Sequence, residues 1–494
     1  MTAALESLML PKAHTFAVAE HGAFIDGAET GVNEHAIDTL DPATGQVITR
    51  VADTDATAVD RAVQSAGKAF EGEWGSMLPA RREALLHRLA DLIEENAAEL
   101  AQYDALEGGK PLSYVESVDL PLAVEQFRYY AGWPTKIQGA TVPVSTPDTH
   151  VYTRKVPLGV VAAITPWNFP LCQAAIKLAP ALAAGNTVVL KPSELTSLSS
   201  LRLAQLAIEA GLPAGTVNVV TGAGAGTGQA LVSHPQVAKI SFTGSEATGR
   251  HLGASAGRSL KHISLELGGK NPHVIFADAD IAKAAAYAAT TAYFYSGQVC
   301  FSGSRLMVER SAVDEVLAAV REHADALVLG HGLDRATTMG PLSSAAHRDK
   351  VERYLETVAG TGGTVAFGGN RTGESGYFLE PTAVLNPSDA DPVVAEEIFG
   401  PVLVIQPFDS AEELVPRANS GKYGLTAGVW TNDVRKAHTV ARQLQAGTVW
   451  VNTYADYNAA APFGGFKASG FGKDCGPEGL EKYLETQTVW MSLA

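Results

Sequence analysis

Short apolar, β-branched runs alternate along this chain with longer segments rich in Ala and Leu. Residues 159–164, 187–190 and 216–220 have the first character, residues 174–184 and 200–210 the second. The short runs predict buried strands and the longer ones helices. That rhythm predicts a mostly parallel sheet with helices on its faces, in which ligands gather outside the carboxyl ends of the strands. The turns at residues 165–170, 191–194 and 221–228 fall at those ends. A second αβ pattern follows Glu266, with helices expected at 281–292 and 313–327 and strands near 305–308, 402–406 and 428–430. It predicts a second lobe, with Glu266 in the crevice between the two.

Two further segments, residues 138–155 and 484–492, are rich in Thr, Val and aromatic residues and alternate in part, so both read as strands. Strands at a chain extremity must be paired or covered. They form either a small sheet that extends into a neighbouring subunit or a hairpin-like appendage on one chain. Residues 156–176 carry no charge and approach the length of a bilayer span. Pro157, Pro166 and Pro170 interrupt the stretch, Asn168 and Gln173 are polar, and Lys177 ends it. A buried strand, a turn and a helix start account for it.

At 494 residues the chain is too long for a single ordinary core, so two or three domains are expected. Its net charge of −16 excludes the basic face that a nucleic-acid partner requires. Cys172, Cys300 and Cys475 lie far apart and form no CxxC pair, which argues against a disulfide framework and against a cysteine metal site. Residues 1–12 lack the basic region and apolar stretch of a secretory signal, so a cytoplasmic, non-membrane protein is expected.

Chemistry concentrates at two residues. Cys300 lies between Gly297 and Gly303, and Glu266 is followed by Gly268-Gly269, which permit close approach of main chain or ligand. An ionised thiol is a strong nucleophile, and a nearby carboxylate can draw a proton from the thiol or from water, which suits a covalent thioester route. An isolated Cys is usually a small core residue and an isolated Glu a solvated charge; it is the flanks that distinguish these two. The run Gly222, Gly224, Gly226, Gly228 looks like a dinucleotide loop only superficially. Phe242-Thr243-Gly244-Ser245 is the better phosphate site, because Ser245 can cap the helix that follows while the turn amides face a pyrophosphate. In Lys191-Pro192-Ser193-Glu194 the lysine could meet ribose or phosphate and Glu194 the ribose hydroxyls, repelling a 2′-phosphate; the same residues could equally be an ordinary helix entry.

Taken together with Pro166-Trp167-Asn168-Phe169-Pro170, Glu397-Ile398-Phe399-Gly400-Pro401 and Pro462-Phe463-Gly464-Gly465, these motifs resemble the NAD(P)-dependent aldehyde dehydrogenase superfamily nearly end to end. The resemblance implies an α/β fold: a Rossmann-like NAD domain over residues 1–137 and 156–265, an α/β catalytic domain over 266–475, and a β bridging element over 138–155 and 476–494 that joins subunits into dimers or tetramers. It implies Cys300 as nucleophile, Glu266 as general base, Asn168 with the Cys300 amide as oxyanion hole, and Lys177 on the proton route. For the cofactor it implies Ile164, Thr165, Pro166, Trp167, Lys191, Ser193, Glu194, Gly224, Gly228, Phe242, Thr243, Gly244, Ser245, Thr248, Leu267, Gly268, Glu397 and Phe399, with NAD favoured and NADP possible. No metal is implied.

Members that pass the acyl group to coenzyme A commonly lack the glutamate, so Glu266 implies release of a carboxylate. Asp474, after Lys473, stands where many members carry Glu after Arg, which puts a secondary proton path in question. The substrate tunnel is expected from Phe169, Gln173, Ile176, Val299, Phe301, Asp456, Tyr457 and Phe463, a mostly apolar set suited to aromatic, terpenoid or aliphatic aldehydes. Residues 127–139 are similar to phenylacetaldehyde- and general aldehyde-oxidising members. Semialdehyde or betaine-type oxidation, a thiol esterase without a redox step, and a non-catalytic binding protein are the alternatives.

Overall fold

The computed structural model describes residues 7–358, 360 and 362–494; residues 1–6 of the N-terminal stretch considered above lie outside them. An eight-stranded sheet runs in the order Gly470–Phe471, His262–Glu266, Val237–Thr243, Val160–Ile164, Thr187–Lys191, Val217–Val219, Phe24–Ile25 and Ala28–Glu29. Its five central strands are parallel. From Val160–Ile164 the chain first builds outward through Thr187–Lys191 and Val217–Val219, then returns to its other side with Val237–Thr243. The strand order therefore reverses beside Val160–Ile164, which opens a crevice at its carboxyl end. Helices Pro170–Ala183, Leu198–Glu209 and Glu246–Ser259 alternate with these strands as expected.

The second sheet has seven strands, in the order Thr364–Phe367, Thr382–Leu385, Val402–Phe408, Arg305–Glu309, Pro272–Ile275, Thr426–Trp430 and Thr448–Val451, and only Thr364–Phe367 is antiparallel. Glu266 ends a strand of the first sheet, while residues 269 and 300 lie just before Pro272–Ile275 and Arg305–Glu309 of the second. The carboxyl end of one sheet thus meets the amino end of the other at one crevice. Strand Gly470–Phe471, from the region expected in the second lobe, crosses back to pair with Leu265 and Glu266.

Strands Thr149–Pro157 and Leu484–Ser492 pair antiparallel over their full lengths as a separate two-stranded sheet. The expected strand at 138–155 is shorter than predicted: before residue 149 only an isolated Thr141–Tyr152 bridge forms. Pro143 and Pro147 interrupt the donor ladder there. Among the described residues no helix is long and apolar enough to cross a membrane; residues 156–176 divide into strand, turn and helix.

Candidate active site

Cys300 sits on a turn that the backbone enters under strain. Tyr295 (φ 48°), Ser296 (φ 54°) and Gly297 (φ 70°) are consecutively left-handed, a conformation that costs on the order of 1 kcal/mol or more at each non-glycine position. Four hydrogen bonds hold it. Tyr295 Oη donates to Gly108 O (3.0 Å), Ser296 Oγ to Gly340 O (2.6 Å), and Gln298 Nε2 to Tyr295 O (3.1 Å) while its Oε1 accepts Ser343 N–H (2.8 Å). A side chain at Gly297 would collide with Gly400 O.

The thiol turn is tied to the segment that leads from Glu266 into strand Pro272–Ile275 by Asn271. Its Nδ2 donates to Cys300 O (2.8 Å) and Ser302 O (2.9 Å), and its Oδ1 accepts Thr426 N–H (3.0 Å). The approach requires Gly269, whose missing Cβ would lie 2.8 Å from Cys300 O. At Gly268 a Cβ would overlap the Glu397 carboxylate, which accepts the Gly269 N–H at 2.9 Å. The glycine pair therefore admits main chain on one side and a carboxylate on the other.

Cys300, Glu266, Asn168, Phe169 and Gln173 line one cavity of about 210 Å³, together with Pro166, Trp167, Thr243, Gly244, Ser245, Leu267, Gly268, Glu397 and Phe399. Asn168 is buried and gives one N–H to Gln298 O (2.8 Å), leaving its other N–H for the cavity. No carbonyl among the described residues accepts the Cys300 N–H, which lies with that of Phe301 against the sulfur. Burial, then the Glu397 and Glu266 carboxylates, push the thiol up to about 12. Burial, then Asp474, push the Glu266 carboxyl well above its ordinary value. Both Glu266 oxygens are sealed from solvent without a hydrogen-bond partner among the described residues, and the side chain packs against Gly464.

Behind Glu266 lies a buried charged group. Asp474 pairs with Lys482 and lies 3.9 Å from Lys177, which approaches Ser241 Oγ at 3.5 Å. Burial alone would raise the Asp474 carboxyl, but Lys482 and Lys177 hold it below its ordinary range. The shorter acid at this position thus keeps its charge through Lys482, a partner that local sequence does not reveal.

At the other end of the cavity, Ser245 caps helix Glu246–Ser259, accepting Thr248 N–H at 3.3 Å. Gly244 follows strand Val237–Thr243, and Ile164, Thr165 and Pro166 end or follow strand Val160–Ile164, so these groups flank the crevice where strand order reverses. The hydroxyls of Thr165 and Thr243 make no hydrogen bond among the described residues. Phe242 is buried in the sheet beneath them. Lys191 is buried, bonds Pro192 O (2.9 Å) and lies 3.7 Å from the half-exposed Glu194. Ser193 Oγ accepts Leu195 N–H, and the helix starts only at Leu198, so Glu194 stays outside it. Gly224–Gly228 form a single π turn, with Gly228 against the Lys191 stem. A helix N-terminus, two partnerless hydroxyls and an acid at a switch point fit a dinucleotide.

Phe169, Ile176 and Val299 share an apolar cluster with Cys172 and Tyr295, joined by Phe301, Tyr457, Leu122 and Phe294. Phe463 packs against Phe301 (6.4 Å) and Tyr457 (5.2 Å). Gln173 has a sealed Oε1 without a partner. Asp456 is exposed and engaged locally, its carboxylate accepting Thr453 Oγ1 (2.7 Å) and its carbonyl Trp450 Nε1 (3.0 Å). The reading from sequence did not single out His347. Its Nε2–H donates to Phe399 O (2.6 Å), holding Phe399 at φ 65°, and both rings pack on Trp167. Burial pushes His347 down to about 4, so it stays neutral.

Residues 29–489 match the aldehyde dehydrogenase family. A phenylacetaldehyde dehydrogenase of Pseudomonas fluorescens is 45% identical over 465 residues, covering 92% of this chain and 93% of the relative. The NAD+ complex of an aldehyde dehydrogenase from Bacillus cereus superposes with a TM-score of 0.96 at 44% identity, over 98% of this chain and 99% of that one. A betaine aldehyde dehydrogenase from Staphylococcus aureus, also solved with NAD+, gives 0.95 at 38% identity, over 98% and 96%. The chain belongs to the aldehyde dehydrogenase family.

Proposed function

We propose that this protein oxidises an apolar aldehyde to the carboxylic acid with NAD, through a covalent intermediate on Cys300. One observation carries the reading: Cys300, Glu266 and Asn168 line a single cavity that runs to the Gly244–Ser245 turn. The Cys300 thiol gives its proton to water in the cavity, its sulfur adds to the aldehyde carbon, and the Asn168 N–H and the Cys300 backbone N–H receive the oxygen as it gains charge. NAD, when bound, would supply the hydride acceptor, and Cys300 would keep the acyl carbon as a thioester. Ser245 and Thr248 would hold the pyrophosphate, Lys191, Ser193 and Glu194 the adenine-side ribose, and Glu397 with Phe399 the nicotinamide end.

Glu266 then removes a proton from the water that attacks the thioester, and its raised proton affinity suits it to the task. Because its oxygens are sealed in the present conformation, the side chain must rotate toward the cavity before it acts. Retracted, it faces Lys177 and Asp474, which would take the proton onward. Phe169 lines the cavity and packs on Phe301, which meets Phe463 and through it Tyr457, and this aromatic cluster favours aromatic, terpenoid or aliphatic substrates. Aromatic faces also attract quaternary ammonium groups, which keeps a betaine-type aldehyde as the second reading.

The test is NADH formation with phenylacetaldehyde, citral, hexanal, betaine aldehyde and succinic semialdehyde, each with and without coenzyme A. Turnover of the apolar aldehydes without coenzyme A is expected. Preference for a charged aldehyde would overturn the reading of the tunnel, and strict dependence on coenzyme A would overturn Glu266 as deacylating base. Cys300→Ala should abolish turnover while NAD still binds.

A further inference from the structure

A buried charge pair lies beneath the cavity wall. Lys110 (1% exposed) is paired with Asp119 (0% exposed). The lysine Nζ stands 3.7 Å from the centre of the Phe169 ring and 4.4 Å from that of Tyr295, and the two rings meet edge to face at 6.2 Å. Asp119 reaches this position at the end of a π turn, Val115–Asp119, that interrupts the helical run between Leu112–Tyr114 and Leu120–Ala131. An extra residue in a helical turn is a local irregularity often found at functional sites. Here it brings a carboxylate onto Lys110, with a second buried acid, Asp104, close to both.

Such a pair is weak support for stability, because apolar residues of similar volume commonly serve as well. Its contacts indicate another use. Phe169 follows Asn168 directly. Tyr295 opens the left-handed turn that leads to Cys300, and its hydroxyl bonds Gly108 O, close to Lys110 in the chain. A cation over ring faces fixes where those rings lie. One ammonium therefore contacts both the segment carrying the oxyanion donor and the segment carrying the thiol.

We propose that Lys110, held by Asp119, is a positioning residue that sets the Asn168 amide and the Cys300 thiol in register through the Phe169 and Tyr295 rings. This rests on the reading of Cys300 and Asn168 given above. Displacement of reacting groups by about 1 Å can cost on the order of 100-fold in rate, so loss of the cation should lower turnover without abolishing the fold.

The experiment uses the full chain and hydrolysis of p-nitrophenyl acetate, which needs the thiol and the oxyanion donors but no hydride acceptor. Rates are expressed per reactive Cys300 thiol. The double variant Lys110→Met, Asp119→Asn removes both charges of the pair, so neither of these two partners is left as a lone buried ion. Its kcat should fall about tenfold or more with KM within about twofold, and oxidation of hexanal should fall in parallel. A folded double variant with the parent kcat overturns the proposal. If that variant does not fold, Phe169→Leu decides, since it leaves the ion pair intact and removes one ring: a similar loss in kcat supports the positioning role, and the parent kcat overturns it. Cys300→Ala is the control, because persistence of ester hydrolysis there would sink the reading of the site itself.

Discussion

At the residue scale, the site combines a thiol that resists ionisation with a carboxyl that resists losing its proton. Both are displaced in the same direction, upward, so the deprotonated forms needed for chemistry grow with pH. Alkylation of Cys300 by iodoacetamide in the cofactor-free protein should therefore keep rising from pH 7 to pH 10 without a plateau, since the thiol titrates near 12. A plateau below pH 8 would mean that the thiol is already ionised. The two acids can also be separated in time. Glu266→Gln leaves the sulfur and Asn168 in place, so one burst of NADH per site should survive while steady turnover falls on the order of 100-fold or more, the usual effect of losing a general base. Rapid-mixing absorbance resolves the two phases. Loss of the burst along with turnover would make Glu266 the base for thiol addition as well.

At the element scale, the turn from helix Ile281–Tyr293 to Cys300 concentrates the strain, and Gly297 is its least replaceable member. Gly297→Ala should lower stability by at least about 2 kcal/mol, since it adds a left-handed penalty to a collision with Gly400 O, and urea unfolding measures it. A second element-scale contact is Asp104, on helix Ala97–Gly108, which accepts the Leu171 N–H near the start of helix Pro170–Ala183 at 3.3 Å. Burial pushes Asp104 up to about 7. Its folded form then holds a proton that the unfolded chain has lost, so its contribution to stability falls as pH rises from about 4 to about 7. Asp104→Asn should match the parent near pH 4 and exceed it at pH 8 by up to a few kcal/mol, because each tenfold difference in proton affinity between folded and unfolded chains is worth roughly 1.4 kcal/mol. An unchanged difference in melting temperature across that range would contradict the buried proton.

These elements also mark what local pattern could reveal. Strand and helix periods located the elements around residues 160–219 and 281–325 to within a few residues, because burial on both faces of a parallel sheet writes a continuous apolar signature. The glycines after Glu266 and before Cys300 were legible for the same local reason. Lys110, Asp119, Asn271 and His347 were not, because their meaning lies in partners far away in the chain. The left-handed φ of Tyr295, Ser296 and Phe399 goes against residue preference and is imposed by tertiary hydrogen bonds. Asp456 shows the converse, a residue that the family pattern assigns to the tunnel and that here is exposed and bonded to its own loop.

At the scale of the whole molecule, the sheet of Thr149–Pro157 and Leu484–Ser492 is open to a partner. A two-stranded ribbon is marginal by itself, and this one pairs over nine residues with both outer edges open among the described residues apart from the single Thr141–Tyr152 bridge. It also leaves Trp490 60% and Met491 47% exposed, large apolar side chains at one end of a chain whose other apolar residues are mostly inside. Open edges and exposed apolar side chains invite a second copy, and self-pairing around a two-fold axis satisfies both at once. The chain should therefore run as a dimer or tetramer in light scattering. Charging the patch with Trp490→Asp and Met491→Asp should shift it to a smaller species without altering the Cys300 cavity, whose lining contains neither residue. A parent that runs as a monomer, or a doubly charged variant of unchanged mass, would leave the ribbon as an appendage of one chain. If the mass falls and the NADH burst per site stays at the parent value, catalysis belongs to the single subunit and the ribbon serves assembly.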